Sequence, residues 1–201
     1  RRTQKKLDAL HQASRQLACL QADISDDDRI EVLKHNIRDL THNLLHYDVI
    51  EIRLLDPRTK ELKPLLADGM TPEATVRVLF ARKEGNGVTG LVAATGETYV
   101  CHDAANDPHY IEGSLGARSS LTIALRDGGE ILGTFNVESP QLNAFSPREV
   151  QFAEIFCREL ASALRTLDLL LVERRATATH SIEAVNQSVS IPVDEIGRAH
   201  V

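Results

Sequence analysis

Hydrophobic positions change period several times along this 201-residue chain, and each change predicts an element. Ahead of Ser25 there is no Gly or Pro, and Leu7, Leu10, Leu17 and Ile24 fall at heptad-compatible places with Ser14 interrupting the seam. This spacing predicts a helix over 1–24 with a weak coiled-coil signal. Ser25 followed by Asp26, Asp27 and Asp28 reads as a helix start, since a short oxygen-bearing side chain caps free N–H groups and acidic residues favour the positive end of the dipole. Ile30, Leu33, Ile37, Leu40 and Leu44 supply that helix with an apolar face. The period then drops to two: Val49, Glu51 and Arg53 alternate with Ile50, Ile52 and Leu54. A turn at Asp56-Pro57-Arg58-Thr59 and a second strand from about Glu61 to Ala67 complete a hairpin.

Further along, Thr71 as cap and Pro72 at the first helical position, with Val76, Leu79 and Phe80, predict a short helix from Pro72 to Ala81. A second short helix is expected from Val88 to Ala94, stopped by Gly96, then a strand from Glu97 to Cys101 and a polar loop from Asp103 to Ser114. Strands over 119–126 and 130–138 flank Asp127-Gly128-Gly129, whose glycines supply the positive φ of a tight hairpin. Ser146-Pro147-Arg148-Glu149 is a capping box with proline at the first helical position, and Val150, Ala153, Cys157, Leu160, Leu164, Leu167 and Leu171 follow at alternating spacings of three and four. That seam predicts either packing on the domain or a dimeric coiled coil, in which Leu7, Leu10, Leu17, Val150, Cys157, Leu160, Leu164, Leu167 and Leu171 form the dimer contact. It fades after Leu171, where Arg174, Ala178 and Ser181 take the continuing positions, and Ser188 to Val193 with Pro192 reads as extended. The element order is that of an α+β domain, an antiparallel sheet with helices packed on one face. Three segments are expected: a linker helix over 1–24, a domain over 25–171, and a helical or frayed linker over 172–201.

Composition narrows the classes. With 42% hydrophobic and 26% charged residues the chain is ordinary for a globular protein, and a formal charge of −6 gives no field to hold a polyanion. No nucleic-acid or membrane partner is expected. Cys19, Cys101 and Cys157 lie far apart with no CxxC pair, which suits a reducing compartment, the cytoplasm, better than a disulfide framework. No apolar run approaches the roughly 18 to 20 residues that span a bilayer, and Arg1-Arg2-Thr3-Gln4 leads into charged helix rather than a signal peptide.

One ordered set of short motifs adds a resemblance. Gly85-Asn86-Gly87-Val88-Thr89-Gly90, Thr95-Gly96-Glu97, Asp103, Asp107-Pro108, Leu132-Gly133, Asn136-Val137-Glu138 and Phe145-Ser146-Pro147 with Glu149 occur in an order and spacing similar to those of GAF domains. The resemblance covers roughly residues 26–170. It implies the same α+β sheet, with a ligand pocket on the face opposite the terminal helices, roofed by about residues 70–118. Residues expected on or beside the strands of that pocket are Arg53, His102, Asp103, Asp107, Tyr110, Ser119, Ser120, Thr122 and Asn136. Loop capping and turn initiation are the plainer roles for Asp103 and Asp107-Pro108, and alternation turns only one of Ser119 and Ser120 inward.

The resemblance further implies a sensory module whose ligand biases terminal helices in a homodimer, regulating an output domain such as a histidine kinase of a two-component system. It names no cofactor. Cys101-His102 falls on a strand rather than at a bilin-attachment motif, His102 or His109 would be the axial ligand for a haem, and no CxxC or HxxxH suggests zinc. Gly85 to Gly90 lacks the Lys-Ser/Thr of a phosphate loop, the cyclic-nucleotide signature of the family is absent, and His180 lacks the surroundings of a phosphoacceptor. Free methionine sulfoxide reductases share the fold and use thiolates, but Cys101 and Cys157 sit outside the motif those enzymes place at the pocket. Both read as buried small hydrophobes, so no enzymatic activity is expected. A ligand-free dimerisation spacer is the structural alternative.

Overall fold

The computed structural model describes residues 25–189, with Asp8, His11 and Arg15 ahead of them, and side chains as far as Asp168. Leu7, Leu10 and Leu17 and the side chain of Leu171 lie outside the described residues. By its contacts the chain divides into two compact units, Arg1–Arg165 and Thr166–Val201. The first carries the sheet.

Helix α1 spans Asp26–Leu40, opened as the sequence predicts: the Asp28 N–H donates to Ser25 Oγ at 3.1 Å, and three aspartates occupy the first turn. Its buried positions are Arg29, Leu33 and Ile37, and the same step of four continues through Thr41 and Leu45 in a π-helical turn, Thr41–Leu45. Thr41 Oγ1 donates back to the Ile37 carbonyl at 2.9 Å, which widens that turn. Leu45 rather than Leu44 therefore faces the core.

Strands β1 (Val49–Leu55) and β2 (Leu62–Asp68) form the expected hairpin. Then come α2 (Pro72–Val76), α3 (Gly87–Thr95), β3 (Tyr99–Cys101), β4 (Ser119–Asp127), β5 (Glu130–Ser139) and α4 (Pro147–Val189). The sheet order is β2-β1-β5-β4-β3, antiparallel throughout. Between β4 and β5 the Asp127–Glu130 pair is closed by Gly128 at φ 55° and Gly129 at φ 85°, a two-residue turn in the left-handed region.

Three expectations change. Helix α2 ends at Val76 rather than Ala81, because Arg77 turns extended at ψ 130° and the chain beyond it runs along β2, with the Leu62 N–H donating to the Leu79 carbonyl at 2.8 Å. Strand β3 is three residues long and starts two residues later than predicted. Helix α4 continues to Val189, so Ser188 is helical rather than extended; no Gly or Pro interrupts residues 148–191, and backbone propensity outlasts the apolar seam. At its start Ser146 and Glu149 exchange hydrogen bonds, Ser146 N–H to Glu149 Oε2 at 2.8 Å and Glu149 N–H to Ser146 Oγ at 3.4 Å.

Strand alternation gives the sheet two unlike faces. Ile50 and Ile52, Leu121, Ile123 and Leu125, and Phe135 and Val137 line one, all buried. Against it lie Leu33 and Ile37 of α1 and Ala153, Phe156, Cys157, Leu160 and Leu164 of α4, also buried; the Phe135 and Phe156 rings meet edge-on at 5.8 Å. Most of the seam of α4 within the first unit is therefore buried in this single chain. Val150 is half-buried, and Leu167, buried as well, belongs to the second unit.

Candidate functional site

The other face is polar. Cross-strand register aligns it in rows: Arg53, Thr134 and Ala124; then Glu51, Asn136, Thr122 and Tyr99; then Glu138, Ser120 and Cys101. Such groups stay buried only if hydrogen bonds replace the water they lose. Arg53, 1% exposed, is held almost completely: Nη1 donates to the carbonyls of Leu62 (3.0 Å) and Arg77 (2.8 Å), and Nη2 to the Ala74 carbonyl (2.9 Å) and Glu51 Oε2 (3.0 Å). Its Nε lies 3.0 Å from Glu51 Oε1, an ion-pair contact too bent to count as a hydrogen bond. Arg53 thus ties β1 to the segment above it, and its hold on the Ala74 and Arg77 carbonyls accounts for the early end of α2.

Asn136 is oriented by Thr122, whose Oγ1 donates to Asn136 Oδ1 at 2.8 Å. That leaves the amide N–H groups for its neighbours, among them Glu138. Glu138, 6% exposed, accepts the Ser114 N–H at 2.7 Å and the Ser114 hydroxyl at 2.6 Å, both on Oε2. Burial, reinforced by the Glu51 carboxylate, pushes its carboxyl above the ordinary range despite these donors. Tyr110 stands nearby, its hydroxyl raised by burial and then by Glu138.

Between this face and the segment above it is a cavity of about 20 Å³, room for about one water. Glu51, Arg53, Asn136 and Glu138 form its floor. Met70, Ala74, Arg77 and Leu79 roof it, the start of α3 (Asn86, Gly87, Val88, Thr89) closes one side, and Ile111 and Gly113 close another. The glycines of Gly85 to Gly90 act as turn chemistry. Gly87 takes φ +64°, and a Cβ on Gly90 would come within 2.6 Å of the Phe80 carbonyl, so α3 packs close only without one.

Of the residues expected at a pocket, Arg53 and Asn136 line this cavity, Thr122 positions Asn136, and Tyr110 lies beside Glu138. Ser120 is the serine on the polar face, opposite Glu138 and Cys101, and its buried Oγ makes no well-formed hydrogen bond. Ser119 is on the other face, donating to the Gln141 carbonyl at 2.7 Å and fastening the loop before α4. His102 is exposed and pairs with Asn143 at 2.6 Å. Asp103 caps its own turn through Ala105 and Asn106, and Asp107 accepts from the Tyr99 hydroxyl at 2.9 Å and the His109 N–H at 2.8 Å. These three carry loop structure away from the cavity, the plainer role for both aspartates. Sequence reasoning missed Glu51 and Glu138 as site residues. The signal was present in the alternation, since Glu51 shares the parity of Arg53, and Glu138 that of Asn136.

Neither described free cysteine lines the cavity. Cys101 is fully buried on β3, and burial followed by Asp107 pushes its thiol up to about 11; burial raises Cys157 too. Among the described residues no three His, Cys, Asp or Glu side chains are placed to hold a metal, and no helix is long and apolar enough to cross a membrane.

Comparison with known proteins places this geometry. The free methionine-R-sulfoxide reductase of Neisseria meningitidis, solved in complex with its substrate, superposes with a TM-score of 0.67 at 19% identity, over 82% of this chain and 91% of that one. The GAF domain of an Acinetobacter phosphoenolpyruvate-protein phosphotransferase superposes with a TM-score of 0.62 at 20% identity, over 83% and 96%. In sequence, protein YtsP of Bacillus subtilis (strain 168) is 29% identical over 91 residues, 45% of this chain and 53% of that protein, so the chain spans about half of this relative's length. The reductases overturn the expectation that the chain is not an enzyme: one fold carries both enzymes and regulatory domains, and fold-level reasoning cannot separate them. The model of the GAF domain matches this sequence over residues 28–164, the whole of the sheet; the chain belongs to the GAF domain family.

Proposed function

We propose that this chain is a regulatory GAF module that holds a small ligand against the polar face of its sheet, and that occupancy biases the long helix on the opposite face. The observation that carries the reading is the set of buried polar side chains, Glu51, Arg53, Asn136 and Glu138, gathered under one roof when the opposite face is mainly apolar. Burying polar groups costs free energy unless hydrogen bonds replace the water they lose, and a cavity with a few convergent polar groups is the usual form of a small-molecule site. Regulation requires the ligand to favour one helix arrangement over another, and the proposed output is a homodimer whose helices pass the bias to a further domain.

Mass spectrometry of small molecules released from freshly purified chain tests this directly. A stoichiometric molecule that is lost in Asn136→Leu supports the site. Its retention in that variant counts against it.

The likeness to reductases favours a second reading, in which the same cavity receives a free amino-acid sulfoxide for reduction by thiols. The reduced chain mixed with free methionine-R-sulfoxide and dithiothreitol would then form methionine. No turnover above the uncatalysed rate removes this reading.

A further inference from the structure

The polar face has an uneven charge balance. Glu51 is paired with Arg53, and the four Nη hydrogens of Arg53 are committed to the carbonyls of Leu62, Ala74 and Arg77 and to Glu51. Only the Nε–H of Arg53, 3.0 Å from Glu51 Oε1 without a hydrogen bond, is uncommitted. Arg77, in the roof, donates Nη1 to the Glu112 carbonyl at 3.0 Å. Glu138 is different: its hydrogen bonds come from neutral donors, the N–H and hydroxyl of Ser114, the Asn136 amide and the Tyr110 hydroxyl, and among the described residues no cationic side chain pairs with it. The Ser114 bonds both fall on Oε2. Oε1 instead abuts the Cα of Gly113, where a Cβ would run into it, and both residues line the cavity. Beside Glu138 on the same face, Ser120 Oγ is a further buried oxygen without a well-formed hydrogen bond.

We infer that the cavity takes a cationic nitrogen, the head of a small alkylammonium ion, with Glu138 as its counter-ion. The inference rests on the reading of this cavity as a ligand site. A buried carboxylate next to a second one is stabilised most by a positive charge brought to it, and an anion against Glu138 would face two carboxylates while the Nη hydrogens of Arg53 are already committed. The space fits the nitrogen: the cavity has room for about one water, the size of an ammonium head, and Met70, Ala74, Leu79, Val88 and Ile111 add hydrocarbon to a wall that also holds Arg77, Asn86 and Thr89. Burial shifts Glu138 toward its protonated form and a bound cation shifts it back toward the carboxylate, so binding there is linked to proton release.

The full chain is titrated with methylammonium chloride across the millimolar range, with sodium chloride at matched ionic strength and sodium acetate as controls, following the thermal midpoint and the heat of binding. The expected result is a saturable stabilisation by methylammonium alone, with proton release seen as a dependence of the heat on buffer ionisation enthalpy. Glu138→Gln, which keeps an oxygen for Ser114 to bond, should weaken it about tenfold or more. Gly113→Ala, which adds a carbon at Oε1, should do the same and serves where Glu138→Gln fails to fold. No saturable response in the unaltered chain, an equal response in both variants, or a preference for acetate overturns the assignment. A neutral or acidic molecule co-purifying with the chain and lost in Asn136→Leu also overturns it, yet leaves the cavity as a ligand site. Methylammonium binding without any co-purified molecule supports the charge preference while removing support for the proposed occupancy.

Discussion

At the scale of single residues, burial decides reactivity. Cys101 is a thiol on the polar face, in the same row as Glu138 and Ser120, and a nucleophile there would be of consequence. It is fully buried and its thiol is pushed up to about 11, so at neutral pH hardly any thiolate forms. Cysteine labelling of the native chain with iodoacetamide at about pH 8, read by peptide mass spectrometry, should leave Cys101 and Cys157 unmodified, and denaturant should expose both. Rapid labelling of native Cys101 would mean that the roof opens far more often than this packing implies. Glu138 supplies the pH dependence. Its folded carboxyl keeps a proton to higher pH than the unfolded chain does, so its stabilising contribution is complete below the ordinary value of 4.5 and is lost as pH rises through the folded pKa. Glu138→Gln, neutral throughout, should match the parent in thermal midpoint near pH 4.5 and exceed it near neutrality. A gap that does not grow with pH would refute this. Much of the residue scale was legible: alternation put Arg53 and Asn136 on one face before any coordinates, and the same rule applied to Glu51 and Glu138 would have found them. What no pattern shows is that Arg53 has its Nη hydrogens already committed, because three of their acceptors are backbone carbonyls up to 24 residues away.

At the scale of elements, the roof depends on one guanidinium. Helix α2 is a single turn, too short to be stable alone, and its Ala74 carbonyl and the Arg77 carbonyl just past its end are both bound to Arg53. Arg53→Met should therefore cost roughly 3–5 kcal/mol in urea unfolding, since it strands the Glu51 carboxylate in the interior along with the released carbonyls. Adding Glu51→Leu to that variant should recover a large part of the loss. A single-variant cost under about 1 kcal/mol would show that the roof stands without this link. The same contact explains the clearest misreading of the sequence. Val76, Leu79 and Phe80 have helical spacing, but tertiary hydrogen bonds on carbonyls outweigh the few tenths of a kcal/mol per residue that propensity offers. By contrast, the caps at Ser25 and Ser146 and the glycine turn at 128–129 were readable because their chemistry lies within four residues of itself.

For the whole molecule, the division between Arg165 and Thr166 falls inside a helix that is continuous to Val189. Most of the core residues, Leu164 included, lie before it. A chain cut to residues 25–165 should therefore unfold in one cooperative transition with a midpoint close to that of the full chain, as calorimetry would read. Under the proposed reading, light scattering should find the full chain dimeric and the shortened one monomeric, because Cys157, Leu160 and Leu164 are already occupied within one copy. A dimeric short chain would place the contact elsewhere. The alternating strands carry a consequence for how such a domain diversifies. Glu51 and Arg53 of β1 and Asn136 and Glu138 of β5 line the cavity, with Ser120 and Thr122 of β4 beside them on the same face, while their immediate neighbours fill the core, so the two sets can be rewritten almost independently. A library that varies only Glu51, Ser120, Thr122, Asn136 and Glu138 would sample new ligand chemistries on an unchanged scaffold, and Arg53, which serves the site and the fold together, is the one position on that face to hold constant.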